Sequence, residues 1–143
     1  DRNGFEVLAR HACFDLLRSV PVGRIGLSMS ALPVILPVNF AVDGERLVVR
    51  TTAGSKLDAA LAGAVVAFEA DQFALETGDA WSVLVRGSAS VVDDPDEVST
   101  LVDLHLPSWV ADHSNQWVMI STDLVSGRRT LSRDRSVVAT CHH

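Results

Sequence analysis

A short segment in the middle of the chain combines hydroxyl groups, two cations and a glycine in a pattern that suits a bound anion. It covers residues 50–56 and reads RTTAGSK, and Lys56 is the only lysine in the chain. A predicted strand ends in hydroxyl groups, glycine turns the chain, and a helix is predicted to begin at Ser55. Exposed N–H groups at a helix start attract anions, and Arg50 and Lys56 add positive charge. The segment predicts a phosphate site; the alternative is a capping serine beside a solvated lysine.

Other familiar chemistries lack their motifs. No G-x-G-x-x-G opens a helix, no G-x-S-x-G is present, and the histidines do not fall in H-E-x-x-H. Glu69 and Asp71 alternate with alanine in a predicted strand and therefore point to one face. Such a pair could do acid–base work, but a solvated strand face is the favoured interpretation. The valines and the leucine in the segment from Trp81 to Gly87 are interpreted as barrel core.

Composition indicates one globular domain that covers residues 1–143. Hydrophobic residues make up 48% of the chain and charged residues 21%, which does not fit a disordered protein. The net charge of -6 argues against nucleic-acid binding, which needs clustered positive charge. No apolar run is long enough to span a membrane, and two distant cysteines favour a reducing cytoplasm. The chain does not begin with methionine, so we expect further residues upstream.

The hydrophobic periodicity predicts a mainly β protein with short helices. Apolar residues at helical spacing predict a helix over residues 4–19. Alternation and turn signals, above all Asp43-Gly44, predict strands over residues 25–29, 34–42, 46–52, 64–70, 81–92, 116–122 and 128–132. Further short helices are predicted at Ser55 and from Asp94 to about Leu106. Hairpins dominate, so an antiparallel barrel with small helices packed on it fits best.

Six segments, in this order and spacing, resemble the pyridoxamine 5'-phosphate oxidase-like flavoproteins, and most closely the branch that includes the nitroimidazole-resistance proteins. The segments are Val22–Gly26, Pro37–Phe40, Asp43-Gly44, Arg50–Asp58, Val66–Asp71 and Trp81–Gly87. The resemblance implies a six-stranded antiparallel split β-barrel of the FMN-binding type with short flanking helices. It also implies a homodimer with one FMN in each of two clefts at the subunit interface.

The resemblance also implies roles for individual residues. Pro37, Val38, Asn39 and Phe40 would lie against the flavin ring, largely through their backbone. Arg50, Thr51 and Thr52 would border the ring and the ribityl chain, and Ser55 and Lys56 would hold the phosphate. Ser82 stands where family oxidases place a glutamine near the flavin, and Arg128 would reach the partner's flavin. No metal site and no catalytic residue is predicted.

The chain departs from the true pyridoxamine phosphate oxidases near its end. Residues 131–135, Leu-Ser-Arg-Asp-Arg, match their Arg-Leu-His-Asp-Arg element only in part and lack the histidine. We therefore expect a cytoplasmic FMN-dependent oxidoreductase acting on some other small molecule. A flavin-binding or storage protein without turnover, or an F420-dependent reductase, are the alternatives, and haem is a further candidate cofactor. Substrate, electron donor and pathway stay open.

Overall fold

The computed structural model describes residues 4–51, 59–104 and 116–130, and these residues form an antiparallel β-structure with two complete helices. The strands are β1 (Phe5–Val7), β2 (Val22–Met29), β3 (Leu32–Asp43), β4 (Arg46–Thr51), β5 (Val65–Phe73), β6 (Ala80–Val92), β7 (Gln116–Ile120) and β8 (Leu124–Thr130). The helices are α1 (Arg10–Leu17) and α2 (Pro95–Val102), and residues 59–61 are also helical. No helix in the described ranges is long and apolar enough to cross a bilayer.

Six of the strands close into a barrel. The sheet order is β1-β8-β6-β5-β2-β3-β4-β7, and a further pairing of β6 with β7 completes the circuit. The long strand β6 makes the barrel split, because its first half pairs with β8 and its second half pairs with β7. The mainly β fold, the six-stranded antiparallel split barrel and the short flanking helices predicted from the sequence are therefore confirmed.

Alternation along the strands separates an inner from an outer face. Inner-facing side chains, among them Phe40, Phe68 and Val85, build the core, where the rings of Phe40 and Phe68 meet edge to face with centroids 4.7 Å apart. Gly23 lacks a side chain where the Phe68 ring lies against its backbone, so any Cβ there would collide with that ring. The barrel end is thus filled by aromatic packing rather than left as a channel.

Helix α2 covers part of the outer face beside β4 and β7. Asp94 caps it, since its carboxylate accepts a hydrogen bond of 3.1 Å from the backbone N–H of Asp96, and proline stands at the first turn. Leu101 packs with Val48 and Trp117 in a second apolar cluster. The helix therefore fixes the position of Trp117 on the outside of the barrel.

Two sequence predictions about the chain ends were wrong. Residues 4–19 do not form one helix, because Phe5–Val7 pairs with β8 as a strand and the helix begins only at Arg10. The last strand begins at Leu124 rather than at residue 128, so it includes Gly127. Gly127 suits the strand because a Cβ there would press against the thiol of Cys13 on α1.

Candidate functional site

Three side chains form a row on the outer face of the barrel. Asn39 on β3 lies opposite Arg50 on β4, which lies opposite Trp117 on β7. Asn39 is 5% exposed and Trp117 is 6% exposed. The guanidinium carbon of Arg50 lies 5.4 Å from the centroid of the Trp117 ring, within the range of a cation–π interaction. A cation is thus held against a buried indole at the end of β4.

The neighbouring Thr51 points the other way. Successive residues of a strand alternate between faces, so Thr51 turns inward, as do Val38 and Phe40, whose side chains belong to the core. Thr51 is 5% exposed, and its hydroxyl finds no hydrogen-bond partner within the part of the chain that the structure describes. Such a buried hydroxyl is costly unless a polar group reaches it, so a further polar contact at this strand end would be stabilising.

The two faces divide the predicted ring-binding strand Pro37–Phe40. Pro37 and Asn39 occupy outward positions, whereas Val38 and Phe40 are buried in the barrel core. A planar ligand outside the barrel would therefore contact the backbone of this strand and the side chains of Pro37 and Asn39. The predicted phosphate contacts at Thr52, Ser55 and Lys56 lie within residues 52–58, outside the described residues, and stay predictions.

A second group of predicted residues meets on neighbouring strands. Ser82 on β6 lies between Asp71 on β5 and Arg128 on β8. All three line a cavity of about 430 Å³, which we call the Arg128 cavity, and the rings of Phe5 and Phe73 contribute apolar wall. Arg128 forms no ion pair with any other described residue. The cavity offers a cation, a hydroxyl and a carboxylate beside apolar surface.

The two groups lie apart within one chain. Asn39 on β3 and Ser82 on β6 are separated by β2 and β5, which amounts to three strand spacings, or about 14 Å along the sheet. The structure therefore brings Asn39 to Arg50, and Ser82 to Arg128, but does not join these pairs into one pocket.

An ionic cluster occupies the sheet between them. Arg24 Nη1 lies 3.3 Å from Glu69 Oε1 and 3.6 Å from Asp71 Oδ1. Burial raises the pKa of Glu69, the hydrogen bond and charge of Asp71 raise it further, and Arg24 opposes the change. Arg24 thus ties the two carboxylates to the outer face of the sheet, as expected of a polar strand face.

Sequence reasoning missed the pairing of Arg50 with Trp117. Alternation alone places Arg50 on the outer face of β4, but its neighbour depends on the register between β4 and β7, which are far apart in the chain. No pattern in the sequence near Arg50 predicts the register between β4 and β7. The described ranges hold no group of three or more His, Cys, Asp or Glu side chains that could hold a metal ion.

Comparison with known proteins places this barrel in a family. The family model described as pyridoxamine 5'-phosphate oxidase matches residues 9–129. The chain belongs to this family. An uncharacterized protein of Mycobacterium tuberculosis is 37% identical over 90% of this chain and 88% of its own.

Solved structures of the family agree with the fold. A Corynebacterium glutamicum protein that carries the family's name is 35% identical, with a TM-score of 0.79 over 89% of this chain and 99% of its own. The FAD binding protein from Mycobacterium smegmatis is 34% identical, with a TM-score of 0.73 over 87% and 96%. A 5-nitroimidazole antibiotic resistance protein from Bacteroides thetaiotaomicron, at 13% identity and a TM-score of 0.63, shares the fold. The resemblance found in the sequence is therefore confirmed.

Proposed function

We propose that this member of the pyridoxamine 5'-phosphate oxidase family is an FMN-dependent oxidoreductase of a small molecule, active as a homodimer. The observation that carries the proposal is the Arg50 guanidinium, seated on the Trp117 ring beside Asn39 at the end of β4. A fixed cation next to a polar side chain suits an anionic, planar cofactor, and the Mycobacterium smegmatis relative is an FAD binding protein. A bound flavin would supply the electron transfer, while the protein supplies binding and electrostatics.

Different residues of the chain would contact different parts of the cofactor. Arg50 would donate charge-assisted hydrogen bonds to the cofactor, and Lys56 would neutralise its phosphate. Pro37 and Asn39 would lie along the ring edge, since they face outward from β3. Arg128 and Ser82 would contact the cofactor bound chiefly by the other subunit.

The separation of the two residue groups supports a second copy of this chain as the partner. Within one chain Arg50 and Arg128 lie on different parts of the sheet, so one pocket can use both only if two subunits meet across this face. Beside the ion pairs of Arg24, this face exposes large apolar side chains: Ile35 is 71% exposed and Val65 is 77% exposed. Ala67, two residues along β5 from Val65, occupies an outward position that admits close approach of another sheet.

Ala67→Arg tests the homodimer. The side chain points outward, so the barrel core is untouched, but the new cation would lie beside Arg86 on the neighbouring strand and in the middle of the interface. We expect sedimentation at micromolar concentration to shift from dimer to monomer. Ser99→Arg, on the exposed side of α2, is the matched control and should stay dimeric. A wild-type chain that sediments only as a 15.3 kDa species would refute the proposed dimer.

FMN and FAD can be separated from F420 and haem by the absorbance spectrum and mass of the bound molecule. FAD is the second candidate, because the relative at 34% identity is an FAD binding protein. A flavin spectrum with the mass of FMN supports the proposal, and the mass of FAD, F420 or haem overturns the choice of cofactor.

Lys56→Ala tests the predicted phosphate contact. Loss of one charge-assisted contact costs about 1.5–3 kcal/mol, or roughly 10- to 150-fold in affinity. FMN should weaken by that factor, whereas riboflavin, which has no phosphate, should be almost unaffected. Equal changes for the two ligands would show that Lys56 is only a solvated lysine.

Turnover separates an oxidoreductase from a storage protein. We expect NADH or NADPH to bleach the bound flavin and a small-molecule acceptor to restore its colour. A flavin that is bound tightly but is reduced no faster than free flavin would favour the storage function.

A further inference from the structure

The sheet beyond the barrel end carries a second row of polar side chains on the face opposite the Arg128 cavity. Glu6 on β1 pairs with Arg129 on β8, Arg129 pairs with Trp81 on β6, and Trp81 pairs with Gln72 on β5. These four residues line a cavity of about 460 Å³, which we call the Arg129 cavity. It shares Gln72, Ala80 and Trp81 with the Arg128 cavity, but Arg128 does not line it. Its volume lies in the range of small-molecule sites.

Two charged groups of this cavity, Glu6 and Arg129, are available to a ligand, and the carboxylate of Asp79 also lines it. Glu6 and Arg129 stand directly opposite each other, yet neither forms an ion pair with a described residue. The cavity therefore presents a carboxylate acceptor and a guanidinium donor side by side. The half-buried Trp81 ring, packed against the core on one side, forms an adjacent wall.

We propose that the Arg129 cavity binds a planar heteroaromatic molecule that presents a hydrogen-bond donor next to an acceptor, as a ring carboxamide does. The ring would stack on Trp81, the carbonyl oxygen would accept from Arg129, and the N–H group would donate to Glu6. A purely apolar ligand would leave both charges without partners. A simple anion would meet the carboxylate of Glu6, so a ligand with both functions fits best.

The geometry of β8 provides a matched control for this site. Arg128 and Arg129 are adjacent, and strand alternation sends one to each face of the sheet, so each lines a different cavity. Substitution of Arg128 therefore removes an arginine of the same strand, exposed like Arg129, without touching the proposed ligand. Because the site needs no flavin contact, the inference does not rest on the proposed function.

Nicotinamide is the probe, and nicotinate, its carboxylate analogue, is the comparison ligand. Binding to the protein as purified is followed by nuclear magnetic resonance of the indole N–H of Trp81, with the buried Trp117 as internal reference. We expect millimolar binding of nicotinamide that shifts the Trp81 signal. Arg129→Gln should weaken it about tenfold, the factor typical of losing one hydrogen bond to a charged group, whereas Arg128→Gln should leave it within about twofold.

Glu6→Gln tests the donor side of the ligand. Removal of the carboxylate should raise the affinity for nicotinate relative to nicotinamide, by about tenfold in the ratio, because an anion no longer meets Glu6. The inference is overturned if the Trp81 signal does not move, if both arginine variants weaken nicotinamide equally, or if Glu6→Gln leaves the ratio unchanged. Failure of these tests would remove the nicotinamide site alone, because the proposed oxidoreductase is tested separately by the mass and the turnover of the bound flavin.

Discussion

Replacement of Arg50 by methionine measures how firmly its guanidinium is held on Trp117. Methionine keeps an unbranched apolar stem but removes the charge. The guanidinium carbon lies 5.4 Å from the ring centroid, and the ring is 6% exposed, so the pair is partly withdrawn from water. A cation–π contact contributes about 0.5–1 kcal/mol when exposed and about 2 kcal/mol when desolvated. We therefore expect Arg50→Met to lower the free energy of unfolding by about 1 kcal/mol.

A double-mutant cycle separates this contact from other effects of the substitution. Trp117→Leu alone should cost about 3 kcal/mol, because it leaves a cavity in the cluster under α2. In the Trp117→Leu background, Arg50→Met should cost about 1 kcal/mol less than in the wild type, which is the coupling energy of the pair. Urea unfolding of the flavin-free protein, followed by far-UV circular dichroism at one fixed protein concentration, gives all four values. An equal cost of Arg50→Met in both backgrounds would refute the cation–π interpretation.

The same variants connect this contact to cofactor binding. Trp117→Phe keeps an aromatic face and should preserve most of the FMN affinity. Trp117→Leu should lower the FMN affinity toward the value of the Arg50→Met variant, which lacks the guanidinium. This order is expected only if the ring positions the guanidinium. If Trp117→Phe and Trp117→Leu weaken FMN equally, the indole serves packing alone.

Three further predictions concern pH dependence and backbone geometry. The pKa of Glu69 is raised in the folded protein, so its stabilising contribution is present below about pH 4.5 and is lost as the pH rises through the pKa of the folded state. Urea unfolding should therefore show that the wild type loses more stability than Glu69→Gln between about pH 4.5 and pH 7. Ala31 has φ of 67° in the turn between β2 and β3, so Ala31→Gly should raise the unfolding free energy by about 1 kcal/mol, and an unchanged midpoint would contradict this strain. A Cβ at Gly87 would overlap the backbone oxygen of Ser121, so Gly87→Ala should cost about 3 kcal/mol, and a thermal midpoint equal to wild type would contradict the close approach.

Local signals were enough to predict the central hairpins and the second helix. Asp43-Gly44 predicted the turn between β3 and β4, and Gly44 indeed has φ of 62°. A helix was predicted to start at Asp94, and Asp94 indeed caps α2 through a hydrogen bond to the backbone N–H of Asp96. Each of these features is determined by side-chain chemistry within a few residues, so no knowledge of the rest of the fold is needed.

The first strand could not be predicted in this way. Phe5 and Leu8 stand at helical spacing with the residues of α1, so the local pattern favours one continuous helix. The strand exists because Phe5–Val7 completes the edge of β8, a pairing between opposite ends of the chain. Edge pairing of this kind holds a strand of only three residues in place, and local periodicity carries no information about it.

The candidate site shows the same boundary between local and long-range information. In the sequence, Arg128 and Arg129 are simply two adjacent cations, and the resemblance assigned a role only to the first. Pairing of β8 with β6 and β1 fixes which face each side chain occupies, and strand alternation then gives one arginine to each of two cavities. A register shift of one residue would exchange their positions. The chemistry of each cavity therefore depends on a strand register that neither arginine, nor any residue near them in the chain, specifies by itself.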